Sequence, residues 1–188
     1  EDFVANFAHE LKTPLTSIIG YADRIYQKDM TKDQAKQAAW YIWNEGMRLE
    51  ALSLKLMDLT NLNRQKVVCI CMSAREVLQD VLEGTEEIWE KQGICTECQA
   101  EEAYIKVDYD LIKTALLNLL DNAAKAECSK ICIVGKRSGQ NYSIIVSDNG
   151  NGIPRQEMSR ITEAFYMVDK ARSRRQHGAG IGLALVKR

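Results

Sequence analysis

The chain has 188 residues, 46% of them hydrophobic and 27% charged, which leaves room for one or two compact domains and is too balanced for a disordered chain. Its formal net charge of −1, with Lys and Arg dispersed along most of the chain, offers no broad cationic footprint for a phosphodiester backbone, so nucleic acid is not an expected partner. No apolar run approaches the roughly 20 residues that cross a bilayer, and Glu1-Asp2-Phe3 is not a basic export signal, so this portion is expected in the cytoplasm.

From Val4 to Ile25 the apolar residues Val4, Ala8, Leu11, Leu15, Ile18, Ala22 and Ile25 recur at steps of four and three, which predicts a helix with a coiled-coil-like stripe. Pro14 lacks an amide hydrogen and should bend or loosen that helix. The polar segment Lys28 to Asp33 interrupts the stripe, and Thr31 can cap a second helix carrying Ala38, Ile42, Leu49, Leu52, Leu56 and Leu59, with Glu45 as a charged intruder at a seam position. Two such helices expose more apolar surface than one partner covers, so the hairpin is expected to pair with a second copy as a four-helix bundle in a homodimer.

A different pattern starts at Val67-Val68-Cys69-Ile70-Cys71, read as a strand, after which Ser73 caps a helix from about residue 74 to 92, closed by Gly93. Strands are predicted at about 94–99 and 103–107. Asp108 then introduces a helix through Lys125, and strands at 130–135 and 142–146 complete an α+β arrangement with helices layered on one face of a mixed sheet. The segment from Gly152 to Gly180 lacks a steady apolar period, contains Lys170, Arg172, Arg174 and Arg175, and reads as a mobile lid; a last helix begins near Ile181. Of the six cysteines, Cys95 and Cys98 have zinc-ligand spacing. Residues three apart on a strand face opposite sides, whereas Cys69 and Cys71 share one, so the set does not converge and small buried thiols are expected.

His9 lies one position beyond Ala8 on the first stripe, which turns its imidazole toward solvent. An imidazole can act as a nucleophile through one nitrogen if the other can lose or share its proton, and Glu10 is the adjacent carboxylate. Thr13 follows one turn later on the same face. Downstream, Asn118, Asn122 and Lys125 fall at spacings of four and three on one helix face. Amide oxygens suit magnesium, a hard cation, and an ammonium suits phosphate, although a polar helix face can also be merely solvated. Asp148 sits at a strand end before Asn149, Gly150, Asn151 and Gly152, where the backbone turns sharply. Gly178, Gly180 and Gly182, followed by Leu183, let a chain approach a polyphosphate and lead into a helix start.

The run His9-Glu10-Leu11-Lys12-Thr13-Pro14-Leu15, the asparagine box Asn118 to Lys125, Asp148-Asn149-Gly150-Asn151-Gly152, Glu163-Ala164-Phe165-Tyr166 and Gly178-Ala179-Gly180-Ile181-Gly182-Leu183 occur in that order. The chain thus resembles the transmitter core of a sensor histidine kinase over nearly its whole length. The resemblance implies a dimerisation and phosphoacceptor hairpin at about 1–65 and a Bergerat-type (GHKL) ATP-binding α/β sandwich at about 66–188. It implies ATP-dependent phosphorylation of His9, transfer to an aspartate of a response-regulator receiver domain, and regulator phosphatase activity. Glu10 would polarise His9 and Thr13 would orient water. Asn122 would ligate magnesium, with Asn118 and Lys125 supporting the phosphates. Asp148 would accept from the adenine amino group, with Asn149, Gly150, Gly152, Phe165, Gly178, Gly180, Gly182 and Leu183 lining the nucleotide.

The resemblance also implies two more strands beyond Arg188, so the sheet is expected to be cut short, and a membrane anchor only through sensor segments outside this chain. Met167 stands where many relatives carry a phosphate-binding arginine, which Met cannot replace as a donor. Two alternatives follow: a weakly catalytic or degenerate nucleotide-sensing dimeric scaffold, and a GHKL-type ATPase of the gyrase and MutL kind. The ATPases place a glutamate base where this chain has Asn118.

Overall fold

In the computed structural model the described residues are 2–27, 30–62, 66–168 and 180–187. The chain divides into two compact units, Glu1–Arg64 with Glu163–Ile181, and Gln65–Thr162 with Gly182–Arg188.

In the first unit, α1 (Asp2–Gln27) and α2 (Lys32–Leu62) form the expected hairpin. Thr31 opens α2 with a capping box: the Gln34 N–H donates to the Thr31 hydroxyl oxygen at 3.3 Å, and the Thr31 N–H donates to Gln34 Oε1 at 3.1 Å. Helix α1 runs through Pro14, whose side chain is fully buried.

On α1 the buried seam is shifted by one position from the predicted stripe, whereas α2 keeps Ala38, Glu45 and Leu52 of its predicted series. On α1 it follows Phe7, Glu10, Pro14, Ser17 and Tyr21, and on α2 Ala38, Tyr41, Glu45, Arg48 and Leu52. The rings of Tyr21 and Tyr41 stack with centroids 4.7 Å apart. Leu15, Ile19, Trp40, Trp43, Met47, Leu54 and Met57 remain exposed. The seam absorbs a charge at positions 10, 45 and 48 because the charges can pair there, which leaves much of the apolar stripe facing outward.

In the second unit, β1 (Ile70–Ser73) pairs antiparallel with β3 (Tyr104–Val107), while β2 (Cys95–Ala100), β4 (Lys130–Ser138) and β5 (Asn141–Asp148) form a three-stranded sheet in the order β2-β4-β5. Strands β2 and β4 are parallel; β4 and β5 are antiparallel. Their two-residue loop has Gly139 at φ +61° in its first central position, as a type II′ turn requires.

Strand β1 starts three residues later than predicted because the Val68 N–H donates to Asp108 Oδ2 at 2.8 Å instead of entering a ladder. Asp108 also caps α5 (Tyr109–Lys125), its Oδ1 accepting from the Leu111 N–H at 3.3 Å. The single helix predicted over 74–92 is two: α3 (Ala74–Glu83), capped by Ser73, and α4 (Glu86–Lys91). Gly84 and Thr85 separate them, and the Thr85 hydroxyl donates to the Val81 and Leu82 carbonyls at 2.9 and 3.1 Å, satisfying the end of α3.

The core gathers Leu78, Val81, Trp89, Ile94, Leu116, Leu120, Ala123, Cys128, Ile131 and Ile133 between the helices and one face of the three-stranded sheet. The strands of the mixed sheet expected from sequence fall, among the described residues, into two sheets, of which the three-stranded one mixes parallel and antiparallel pairs. A groove of about 590 Å³ lies between β3 and β5, lined by Tyr104, Lys106, Ile112, Arg137 and Tyr142, among others, and by none of the expected site residues.

The thiols depart from expectation. Only Cys128 is buried; Cys69, Cys71 and Cys95 are exposed, and Cys98 and Cys132 are half-buried, Cys98 packing against the core from β2. Desolvation pushes the Cys128 and Cys98 thiols above their ordinary value.

Beside Gly135 the Tyr142 ring crosses the sheet so that its hydroxyl donates to the Glu101 carbonyl at 2.9 Å, and a Cβ on residue 135 would lie 2.9 Å from the ring carbon Cζ. Gly135→Ala should therefore displace that ring and lower stability by about 1–3 kcal/mol, measured by urea denaturation.

Candidate phosphoacceptor and nucleotide sites

His9 is exposed on α1, and no hydrogen bond of its imidazole is formed among the described residues. Its neighbour on the helix points the other way. Glu10 is only 7% exposed, and its Oε2 accepts from Arg48 Nη2 at 2.9 Å, across the hairpin. The carboxylate expected beside the imidazole is thus engaged inside the seam, since consecutive helical residues diverge by about 100° around the axis. The Thr13 hydroxyl donates back to the His9 carbonyl at 3.3 Å. Sequence patterning gave no reason to single out Arg48; the one signal was a charge three residues beyond Glu45 on the same helix face.

The second unit builds its polar cluster on α5. Leu116, Leu120 and Ala123 face the core, which leaves Asn118 and Asn122 on another side of the helix. There they meet Gly182 at the start of α6 (Gly182–Val186), the short helix that packs on α5. A Cβ on residue 182 would lie 2.9 Å from Asn118 Oδ1 and 3.4 Å from Asn122 Nδ2, so glycine is what admits the close approach. Asn118 Nδ2 donates to the Thr114 carbonyl at 2.8 Å, leaving its oxygen toward Gly182. Asn122 Nδ2 is buried without a hydrogen-bond partner among the described residues. Leaving such a group unpaired costs about 1–3 kcal/mol, so the position suits a polar ligand. Lys125 pairs with Asp121 at 2.5 Å, and its ammonium is therefore shared with a carboxylate.

Asp148 ends β5, exposed, with its Oδ1 accepting from the Gly150 N–H at 2.9 Å. Gly150 passes over the end of α5, where a Cβ would lie 2.6 Å from the Ala126 carbonyl oxygen; Gly152 follows at φ +65°. Asn149 follows, and its Oδ1 accepts from the Ser129 and Lys130 N–H groups, each at 3.0 Å, while its Nδ2 donates to the Ser129 hydroxyl, so the side chain fastens the start of β4.

Phe165 and Gly180 belong to the first unit. The Phe165 N–H donates to the Gly180 carbonyl at 2.7 Å, with φ values of +68° and +64°, and a Cβ on Gly180 would lie 2.8 Å from the Phe165 carbonyl carbon. The Phe165 ring is buried and its centroid is 5.8 Å from that of Phe7 on α1. Met167 is also buried, and Leu183 is half-buried on α6. Of the predicted lid, residues 152–168 are described and include a single 3₁₀ turn, Arg155–Glu157; Gly178, Lys170, Arg172, Arg174 and Arg175 lie outside the described residues.

Residues 1–65 match the His Kinase A (phospho-acceptor) domain, and residues 107–188 match the histidine kinase-, DNA gyrase B-, and HSP90-like ATPase family. The chain belongs to the sensor histidine kinases. This histidine kinase chain is 32% identical over 195 residues to the sensor protein VanS of Enterococcus faecium, covering 99% of the chain and 50% of that relative. It is 30% identical over 194 residues to the sensor histidine kinase YkoH of Bacillus subtilis strain 168, covering 100% of the chain and 41% of that relative. The kinase chain therefore spans half or less of the length of these curated relatives.

Among solved structures, the histidine kinase ThkA in complex with the response regulator protein TrrA aligns with a TM-score of 0.75 at 23% identity, over 89% of this chain and 51% of that one, which supports the fold alone. The mycobacterial sensor histidine kinase MprB aligns with a TM-score of 0.54 at 27% identity, over 64% of this chain and 76% of that one. The kinase fold is thus a helical hairpin followed by an α/β ATP-binding domain. Among its described residues, no helix is long and apolar enough to cross a membrane.

Proposed function

We propose that the chain transfers the γ-phosphoryl group of ATP to His9 and then to an aspartate of a response-regulator receiver domain, and that it acts as a homodimer. The division of labour would be a phosphoacceptor region at about 1–65 and a nucleotide-binding region at about 66–188. The observation that carries the reading is an exposed imidazole in a chain that also presents the Asn118–Asn122–Gly182 cluster, where a buried amide has no hydrogen-bond partner among the described residues. The exposed apolar side chains of the hairpin, Trp40 and Trp43 among them, support pairing with a second copy.

One nitrogen of His9 attacks the γ-phosphorus as the bond to the ADP oxygen breaks, and ADP leaves with that electron pair. The proton of the other nitrogen passes to Glu10. Asn122 would hold magnesium, which offsets phosphate charge, with Asn118 beside it. Lys125 would reach phosphate by exchanging Asp121 for it. Asp148, at its strand end, would accept from adenine, while Asn149, Gly150, Gly152, Phe165, Gly178, Gly180, Gly182 and Leu183 would shape the cleft. Thr13 would orient water for dephosphorylation of the regulator. The chain is read as the cytoplasmic part of a membrane-anchored sensor.

Incubating the chain with γ-phosphate-labelled ATP and magnesium should give protein-bound label that acid releases and alkali preserves, as a phosphoramidate requires. Acid-stable label, or phosphate release to solvent without labelled protein, would overturn the reading.

A further inference from the structure

Arg48 and Glu10 are each 7% exposed, and they form the one buried ion pair that ties α1 to α2 among the described residues. Taking two charges out of water is costly, and well-packed apolar side chains would fill such a seam at least as well. The carboxylate held there belongs to the residue beside His9. The guanidinium also has a second carboxylate within reach. Arg48 Nη2 lies 2.9 Å from Glu10 Oε2, and Nη1 lies 3.6 Å from Glu45 Oε2. At 3.6 Å the Glu45 oxygen is attracted but not hydrogen-bonded, and it is buried with no hydrogen-bond partner among the described residues. An unsatisfied buried acceptor beside a fork of five donors competes for it. A turn of that fork onto Glu45 satisfies Glu45 and frees Glu10.

We propose that Arg48 is a positioning residue for the phosphorylation of His9. It holds the Glu10 carboxylate inside the hairpin, and exchange of its guanidinium onto Glu45 releases Glu10 to take the imidazole proton. The inference rests on the reading of His9 as phosphoacceptor and Glu10 as its proton acceptor. In the step itself the released carboxylate binds the proton of one ring nitrogen, the other nitrogen bonds to phosphorus, and ADP departs with the electrons of the broken bond. Arg48 touches none of the reacting atoms. Its effect is on how often the carboxylate is available.

The test follows label incorporation from saturating labelled ATP into the full chain, with the KM for ATP and thermal unfolding measured alongside. Glu45→Gln removes the competing negative charge and leaves only a neutral amide oxygen for the guanidinium, so the rate should fall about fivefold with KM unchanged and no loss of thermal stability. Arg48→Gln removes the tether, so the rate should rise about threefold or more with KM unchanged, and that rise should vanish in the Glu10→Gln background.

A purely structural pair predicts neither opposite signs nor dependence on Glu10. Parallel losses, no change in either variant, or a rise that persists without Glu10 would overturn the proposal. If Arg48→Gln fails to fold, Glu45→Gln decides alone: a fall supports the exchange and an unchanged rate sinks it. Absence of label on the wild type, or label retained in His9→Ala, would instead defeat the functional reading beneath it.

Discussion

Replacing His9 by glutamine is expected to reduce phosphorylation of the chain by at least about 10³-fold, because the amide cannot form the nitrogen–phosphorus bond proposed for the imidazole. The same change should leave folding nearly untouched. The imidazole is exposed and makes no hydrogen bond among the described residues, so its removal opens no cavity and orphans no partner. Surface substitutions of this kind stay within about 0.5 kcal/mol. Measuring both quantities on one preparation separates a lost nucleophile from a lost fold. Label retained by a folded glutamine variant would place the acceptor elsewhere.

Leu120→Ala should destabilise the second unit by about 2–5 kcal/mol, the range for truncating a buried leucine where the surroundings close only partly around the void. Leu120 is wholly buried in the cluster with Leu116, Ala123, Ile131 and Ile133, on the same helix that presents Asn118 and Asn122. Its loss is therefore expected to weaken nucleotide binding as well, by lowering the population of the folded unit without altering any polar group of the site. A denaturation midpoint monitored with and without ATP would show both effects. An alanine variant with an unshifted midpoint would contradict the core assignment.

The hairpin, the strands and the Asp108 helix were legible because their signals are local: apolar spacing, caps at Thr31, Ser73 and Asp108, and glycine at turns. What escaped was set by tertiary pairing. On α1 the seam runs one residue away from the most apolar stripe, because Glu10 and Arg48 complete each other only when the two helices meet, and no periodicity encodes that meeting. Val67 and Val68 have strand propensity but lose their ladder to the Asp108 carboxylate, forty residues away from Val68. The break at Gly84 and Thr85 was marked by its glycine, yet the regular apolar spacing on either side masked it.

The site was legible in the same uneven way. Spacing brought Asn118 and Asn122 together, and the structure adds the Gly182 backbone against them. Nothing in the local sequence around Asp148 marked that the Asn149 amide would fasten the chain entering β4, a contact made across twenty residues. Arg48 was invisible to motif reading since its importance lies in its partners.

Asp108 has a consequence for acid conditions. The Val68 N–H, and after it the Leu111 N–H, hold its carboxyl below the ordinary carboxylate value. A lowered folded value means that the stabilisation is complete above the ordinary value and is lost as pH falls through the folded one. A single protonation there would release the chain leading into β1 and uncap α5 together, so acidification would loosen the asparagine-bearing helix at its first turn.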